Sequence, residues 1–316
     1  MARSPGQLSA SARQEETLTA AEAMVVGELL DAHAPERFRL HRPITHPMQV
    51  LAVASGQGGL GKSSLSLHLA CYFALRGLKV LLLGLDPNVP LMLLLESKAA
   101  SSQTIGLWIK GQHDFFGALL AATCWPGLTV LPTDPEVVRD GPRIALGMMA
   151  RSDGDAIEDG LRVALGGLRG SGHDLVLVDC QTGLPLMTRA AFRAASGIIV
   201  PVACSAFGMA AASEYVDAVA NVLSRPAPAA LPWPGGVGDV EHLSLVRFVP
   251  ARLDQNDEAQ VRAYDALVAS LGDLLLPAVP DGRLAPNKPV DGAALGEVVS
   301  VGRALERALA RVWLQA

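Results

Sequence analysis

From about residue 50 onward, short apolar runs bounded by glycine, proline or charge alternate with stretches whose apolar positions recur at helical spacing. Val50–Ala54, Lys79–Leu83, Leu128–Leu131, Asp174–Asp179, Gly197–Val202, Leu243–Val249 and Leu274–Val279 read as strands. Their near-continuous hydrophobicity marks parallel strands covered on both faces. Between them the spacing predicts helices from Lys62 to about Arg76, where Gly77 stops the run, over 155–169, over Ala206–Leu223, from about Asp257 to Leu271, and from about Ala293 to Leu314. Such alternation predicts an α/β protein with a mainly parallel, doubly wound sheet and helices on both faces, its ligands held at the C-terminal strand ends. Residues 1–16 are polar and without period. Thr19 and Glu22 then have capping-box spacing, and Val25, Val26, Leu29 and Leu30 share a helical face through about His33. The expected division is therefore an N-terminal tail with an amphipathic helix (1–47) and one α/β domain (48–316). Whether that helix packs on its own domain or on a partner stays open. Residues 88–127 mix helix with irregular chain, and Arg225–Gly238, rich in proline and glycine, reads as a surface loop.

Composition narrows this picture only modestly. Half of the 316 residues are hydrophobic, which supports a substantial core, yet no apolar run approaches the length needed to cross a bilayer. The first residues lack an apolar segment beside their basic ones, so a cytoplasmic protein is expected. A formal charge of −5 argues against a globally basic nucleic-acid binder and leaves room for a local patch. The four cysteines, Cys71, Cys124, Cys180 and Cys204, lie far apart with no C-x-x-C pair, and buried thiols are the expected reading.

Candidate chemistry concentrates in Leu51–Ser64, LAVASGQGGLGKSS. Gly56, Gly61, Lys62 and Ser63 fit G-x-x-x-x-G-K-[ST] between a strand and a helix. In that pattern the backbone N–H groups of Gly58, Gly59, Leu60, Gly61, Lys62, Ser63 and Ser64 converge on phosphate, Lys62 reaches the β and γ phosphates, and Ser63 ligates magnesium. The positive end of the helix adds to the cradle. Asp86 closes the KVLLL strand where ligands of such sheets bind; it either reaches a magnesium-bound or attacking water or serves as a turn former before Pro87. The strand DLVLVD ends in Asp179, in the form of a Walker B segment whose carboxylate holds magnesium through water. Cys180–Gly183 follows as a loop able to sense a γ-phosphate. In the last helix Arg303, Arg307 and Arg311 recur at four-residue spacing. That stripe suits an anionic partner or is a solvated face, since Glu297 and Glu306 dilute it.

With GQGGLGKSS, HLACYFALRGLKVLLLGLDPN, DLVLVDCQTG and PAVPDGRLAPNKPVDG in this order, the chain resembles the ParA/MinD family of deviant Walker A P-loop ATPases, above all its plasmid and chromosome partition members. The resemblance runs from about Val50 to the C terminus. It implies a P-loop NTPase fold, ATP and magnesium as cofactors, a homodimer in the ATP state, slow hydrolysis stimulated by a partner protein, and non-specific DNA as the surface. It makes Lys62, Asp86 and Gln57 the catalytic candidates and Ser63, Asp86 and Asp179 the metal candidates, with Arg283, Arg303, Arg307 and Arg311 as DNA contacts. A DNA role would place the protein at the nucleoid.

Two departures from the family pattern bear on function. The family's first lysine, in K-G-G-x-G-K-[ST], is Gln57 here. A neutral amide still hydrogen-bonds phosphate but lends no full charge, so turnover weakens or another cation substitutes. The family's D-x-D-P-Q reads G-L-D-P-N, so one carboxylate is absent at Gly84. Gly-x-Asp-Pro also occurs in nitrogenase-like iron proteins, but Cys180 beside Asp179 does not supply their cluster ligands. Beside partition on DNA stand two other classes. One is a MinD-like or cellulose-secretion-associated ATPase, which at a membrane would insert the Val298, Val301, Leu305, Leu309 and Val312 side of the last helix, a side expected rather to pack on the sheet. The other is a nucleotide-holding regulator with little hydrolysis.

Overall fold

The structure, a computed structural model, describes residues 48–86, 121–132, 161–162, 164–168, 172–224, 243, 245–280 and 292–315. The expected N-terminal tail and helix, the Arg225–Gly238 loop and Arg283 lie outside these residues. Among the described residues the sheet has eight strands: β1 (Gln49–Val53), β2 (Val80–Gly84), β3 (Ala121–Ala122), β4 (Leu128–Leu131), β5 (Leu175–Asp179), β6 (Gly197–Ala203), β7 (Leu245–Leu253) and β8 (Val279–Pro280). They lie in the order β3-β4-β2-β5-β1-β6-β7-β8. Every pair is parallel except β3 with β4. Five α-helices are bounded within these residues, α1 (Lys62–Leu75), α2 (Leu186–Ala194), α3 (Ala206–Leu223), α4 (Glu258–Leu271) and α5 (Gly292–Gln315).

Strand alternation splits the core into two layers, because successive side chains leave a strand on opposite faces. Leu51, Val53, Val80, Leu82, Leu175 and Leu177 pack under α1 and α5 on one face. Val50, Ala52, Leu81, Leu83, Val176 and Val178 meet residues of α2, α3 and α4 on the other. Both sides of β1, β2 and β5 are thus buried, which is why these strands read as unbroken apolar runs. Helix α1 is buried along nearly its whole length and ends in a Schellman motif: Gly77, at φ 86°, donates to the Ala74 carbonyl at 2.9 Å, and Leu78 donates to Phe73 at 3.1 Å.

Helix α5 settles what the apolar stripe of the last helix does. Val298, Val301, Leu305 and Leu309 are fully buried against the α1 layer. Arg76, the C-cap of α1, pairs with Glu306 at 2.9 Å, both side chains largely buried, so the two helices are also joined by a charge-assisted bond. No described helix is long and apolar enough to cross a membrane.

Three expectations from the sequence are corrected by the fold. Leu274–Val279 is not a continuous strand: Gly272–Leu274 forms a 3-10 turn, Leu275 makes only an isolated bridge to Phe248, and the ladder resumes at Val279–Pro280, because Pro277 between them has no N–H to give. Strand β7 starts at Leu245 and runs to Leu253, four residues past the expected end. Helix α2, introduced by Pro185, lies where the pattern predicts no helix. Of the helix expected over 155–169, residues 161–162 and 164–166 are helical. Cys71, Cys180 and Cys204 are buried as expected, and Cys124 is exposed.

Gly302 sits where α5 crosses Tyr72, and a Cβ placed there would lie 2.5 Å from the ring. Glycine to alanine inside a helix ordinarily stabilises. Here Gly302→Ala is expected to destabilise by about 1–3 kcal/mol through overpacking, read from the urea midpoint; a stabilised variant would contradict the α1–α5 contact.

Candidate functional site

Strand β1 lies between β5 and β6, and the chain leaves it on one side for β2 while the next neighbour on its other side is β6. That reversal opens a crevice at the C-terminal end of β1, where ligands of open α/β sheets bind. The loop of residues 55–61 occupies it and feeds directly into α1 at Lys62. Gly59 and Gly61 adopt φ of 75° and 73°, the left-handed region that a side chain resists. Gly56 is needed for another reason: a Cβ there would meet the Tyr215 ring of α3 at 3.0 Å. Gly58, Gly59 and Gly61 are exposed, Gln57, Leu60 and Ser63 are half-buried, and Ser64 is buried.

Lys62 is buried, and its ammonium bridges two loops. Nζ donates to the Gln57 carbonyl at 3.2 Å and to Thr182 Oγ1 at 2.8 Å. Burial pulls its pKa down, opposed by the negative charges of Asp179 and Asp86 and by Cys180. The loop of Gln181–Gly183 is held against the phosphate-loop side by its backbone as well. Cys180 N–H donates to Val53 at 3.1 Å, Gly183 N–H donates to Ser55 at 3.1 Å, and the Tyr215 hydroxyl donates to Gly183 at 3.2 Å.

Asp179 ends β5 beside Val53 of β1 and Gly84 of β2. It is fully buried, and burial pushes its pKa up to about 7, with Asp86 adding to the rise and Ser63, Lys62 and Ser66 opposing it. Ser66 Oγ lies 3.4 Å from Asp179 Oδ1 and 2.9 Å from the Lys62 carbonyl, so its one proton serves either. Oδ2 is buried with no hydrogen-bond partner. Unpaired buried carboxylate oxygens are costly, and this one belongs to the end of the sheet where Ser63 and Asp86 converge. Asp86 is half-exposed, follows Leu85, whose N–H bonds the Asp179 carbonyl at 2.9 Å, and is close enough to act electrostatically on both Lys62 and Asp179.

A magnesium–triphosphate fits this donor set. Among the described residues no group of three or more His, Cys, Asp or Glu side chains is built to hold a metal. Magnesium needs no such cage: it keeps waters and binds through one or two carboxylates plus phosphate oxygens. One hydroxyl (Ser63), one orphaned carboxylate oxygen (Asp179) and a cradle lined by glycines match that requirement. An iron–sulfur centre does not fit, because Cys180 is buried with its thiol pushed well up.

The sequence candidates Gln57–Ser64, Asp86 and Asp179 thus gather at one end of the sheet. Of the candidate arginines, Arg303, Arg307 and Arg311 lie on α5. Arg307 and Arg311 are exposed on α5, whereas Arg303 is half-buried near the Tyr72–Glu306 contact. Sequence reasoning missed Thr182 as a partner of Lys62, Ser66 beneath Asp179, Tyr215 against Gly56, and Arg252, whose guanidinium reaches the phosphate loop. Ser66 had a signal in its spacing, one helical turn after Ser63, and Thr182 lies in the Cys180–Gly183 loop expected to sense a γ-phosphate, though its bond to Lys62 was not foreseen; Tyr215 and Arg252 join distant segments and had none.

Comparison with known proteins adds family and relatives. Residues 48–229, more than half of the chain, match the AAA_31 family, described as an AAA domain. The chromosome partitioning protein ParA of Caulobacter vibrioides is 30% identical over 179 residues, covering 56% of this chain and 64% of that protein. The chromosome-partitioning ATPase Soj of Thermus thermophilus is 31% identical over 158 residues, covering 48% and 53%. The chain spans about six-tenths of the length of the curated relatives it matches first. Among solved structures, apo McdA of Cyanothece superposes with a TM-score of 0.65 at 19% identity over 83% of this chain and 99% of the other. A cobyrinic acid a,c-diamide synthase of Mycobacterium smegmatis with bound ADP and magnesium gives 0.62 at 22% identity over 84% and 96%. At these identities the structures speak for the fold. Together with the loop between β1 and α1, these matches place the chain in the ParA/MinD family of P-loop ATPases.

Proposed function

We propose that the chain binds ATP with magnesium at the loop between β1 and α1, pairs across that face with a second copy, hydrolyses ATP slowly under the stimulus of a partner protein, and uses the cycle to position DNA cargo. The observation that carries the reading is the coincidence of a buried ammonium and an orphaned carboxylate oxygen at one strand end: Lys62 spans Gln57 and Thr182 while Asp179 Oδ2 has no partner. The names of the Caulobacter and Thermus relatives, a partitioning protein and a partitioning ATPase, support the cargo class. Cytoplasm and nucleoid are the compartments this reading requires.

In this scheme Lys62 exchanges the Gln57 carbonyl and Thr182 hydroxyl for phosphate oxygens, which frees Thr182 and its loop to report what is bound. Ser63 and Asp179 would hold the magnesium, which would supply charge neutralisation at the phosphates. Asp86 orients the attacking water. Gln57 offers an amide where the family offers a cation, so intrinsic turnover is slow. The membrane alternative loses its apolar face, since Val298, Val301, Leu305 and Leu309 are spent on the core. DNA is left with the exposed Arg307 and Arg311 as its candidates on α5. Pairing has its own support: Phe207, 77% exposed, stands at the start of α3 just past the end of β6, on the same sheet end as the loop.

Three outcomes are expected. Non-specific duplex is retarded in gels only with ATP and magnesium, and retardation weakens steeply with salt; Lys62→Ala abolishes it together with phosphate release. Retardation indifferent to nucleotide and salt would count against partition on DNA, and phosphate release at background levels with retained ATP binding would favour the nucleotide-holding regulator. Phe207→Asp keeps ATP binding but leaves the protein monomeric in sedimentation with a non-hydrolysable ATP analogue.

The third concerns pH. Asp179 has a folded pKa of about 7 against an ordinary value of 3.8, so between those values the folded chain binds more protons than the unfolded one and stability falls as pH rises. Above about pH 7 the whole cost is present. Asp179→Asn keeps an acceptor for Ser66 and removes the charge. It is expected to stabilise the nucleotide-free chain at pH 8 by on the order of a few kcal/mol, with the gain fading toward pH 4, while losing magnesium-dependent ATP binding. An equal effect at both pH values would contradict the buried charge.

A further inference from the structure

Strand β7 pairs in register with β6 up to Ala203 opposite Ala251, but its pairing with β8 shifts between Ala251 and Leu253. Arg252 sits in that irregularity. Its φ is 59°, and among the described residues no other non-glycine residue has positive φ. A left-handed backbone at such a residue is strained and persists where something over-determines it. Burial is not that something, since Arg252 is exposed. Bulges of this kind re-aim side chains. This one sends the guanidinium past β6 to the phosphate loop, where Nη1 donates to the Gly59 carbonyl at 3.3 Å. A Cβ on Gly59 would lie 3.8 Å from the same nitrogen. The positive charge therefore rests two residues beyond Gln57, on a loop whose own amide at that position is neutral.

We propose that Arg252 is a phosphate-binding cation of the ATP site, supplying from the end of β7 the charge that Gln57 does not. The inference rests on the ATP reading above. A guanidinium carries five N–H donors in a fixed fork, and fork geometry suits phosphate. The backbone strain is then the cost of aiming a strand-end arginine at the triphosphate. Lys62 fills the inner side of the loop, between Gln57 and Thr182, and Arg252 its outer lip at Gly59.

The test is a set of variants, Arg252→Gly, Gln57→Lys and both together, with Lys62→Ala as the control for the site. Affinities for ATP and ADP with magnesium are measured by equilibrium dialysis, and the melting midpoint is measured without nucleotide. Arg252→Gly is expected to weaken ATP about tenfold or more, consistent with loss of one charge-assisted phosphate contact, and ADP about threefold or less. Its midpoint stays level or rises, because glycine takes positive φ at no steric cost. Adding Gln57→Lys restores ATP binding to within about threefold of the original chain. Arg252→Gln, which keeps a side chain and removes the charge, gives the same nucleotide pattern and carries the test should the glycine variant not fold. ATP affinity unchanged in either variant while Lys62→Ala abolishes it overturns this inference alone. So do equal losses for ATP and ADP with a lowered midpoint, the signature of a structural pin on the loop. An original chain that retains no ATP overturns this inference together with the nucleotide reading.

Discussion

The site depends on one electrostatic arrangement: a buried ammonium at the start of α1 and a buried carboxylate at the end of β5, neither hydrogen-bonded to the other. Lys62 spends its donors on the Gln57 carbonyl and the Thr182 hydroxyl, and Asp179 keeps one oxygen without a partner. Burial works against the charge on both, drawing the lysine down and the aspartate up. A fold tolerates this only where the surroundings are rigid. The cost is offset by the core's two layers, which bury both faces of β1 and β5 and hold α1 against them. A polyanion with a divalent cation is complementary to such a pair, because it offers oxygens to the ammonium and a metal to the carboxylate.

Around this pair the remaining contacts act as couplings between the loop and surfaces elsewhere. Tyr215 touches Gly56 with its ring and Gly183 with its hydroxyl, so α3 is packed against both loops at once. A change at Thr182 has a short physical route to the exposed start of α3 at Phe207. Helix α5 is anchored differently, through its valines and leucines and the Arg76–Glu306 pair to α1, the helix whose first residue is Lys62. Its outward Arg307 and Arg311 therefore ride on an element packed against α1.

Much of this architecture is legible in the sequence, for definable reasons. Strands β1, β2 and β5 are buried on both faces, so their apolar runs are unbroken and their ends fall within a residue or so of the expected ones. The loop is legible because glycines, lysine and serine occur at a fixed spacing between strand and helix. What escapes a linear reading is set by long-range geometry. The Lys62–Thr182 bond joins residues 120 apart in sequence, and the left-handed backbone of Arg252 comes from an irregular pairing of β7 with β8. The run at Leu274–Val279 misleads because hydrophobicity marks burial, while proline decides whether buried backbone enters a ladder. Helix α2 escapes because nine residues broken by a threonine and two arginines give too short a periodic signal.

The most direct measurement is amide hydrogen exchange of the purified chain with magnesium alone and with ATP plus magnesium. If a triphosphate sits where β1 gives way to α1, exchange slows across residues 56–64 and changes across 179–183 when ATP is added, and Lys62→Ala erases both effects. Exchange in those two segments that is indifferent to ATP, at concentrations where other segments respond or none do, would contradict it.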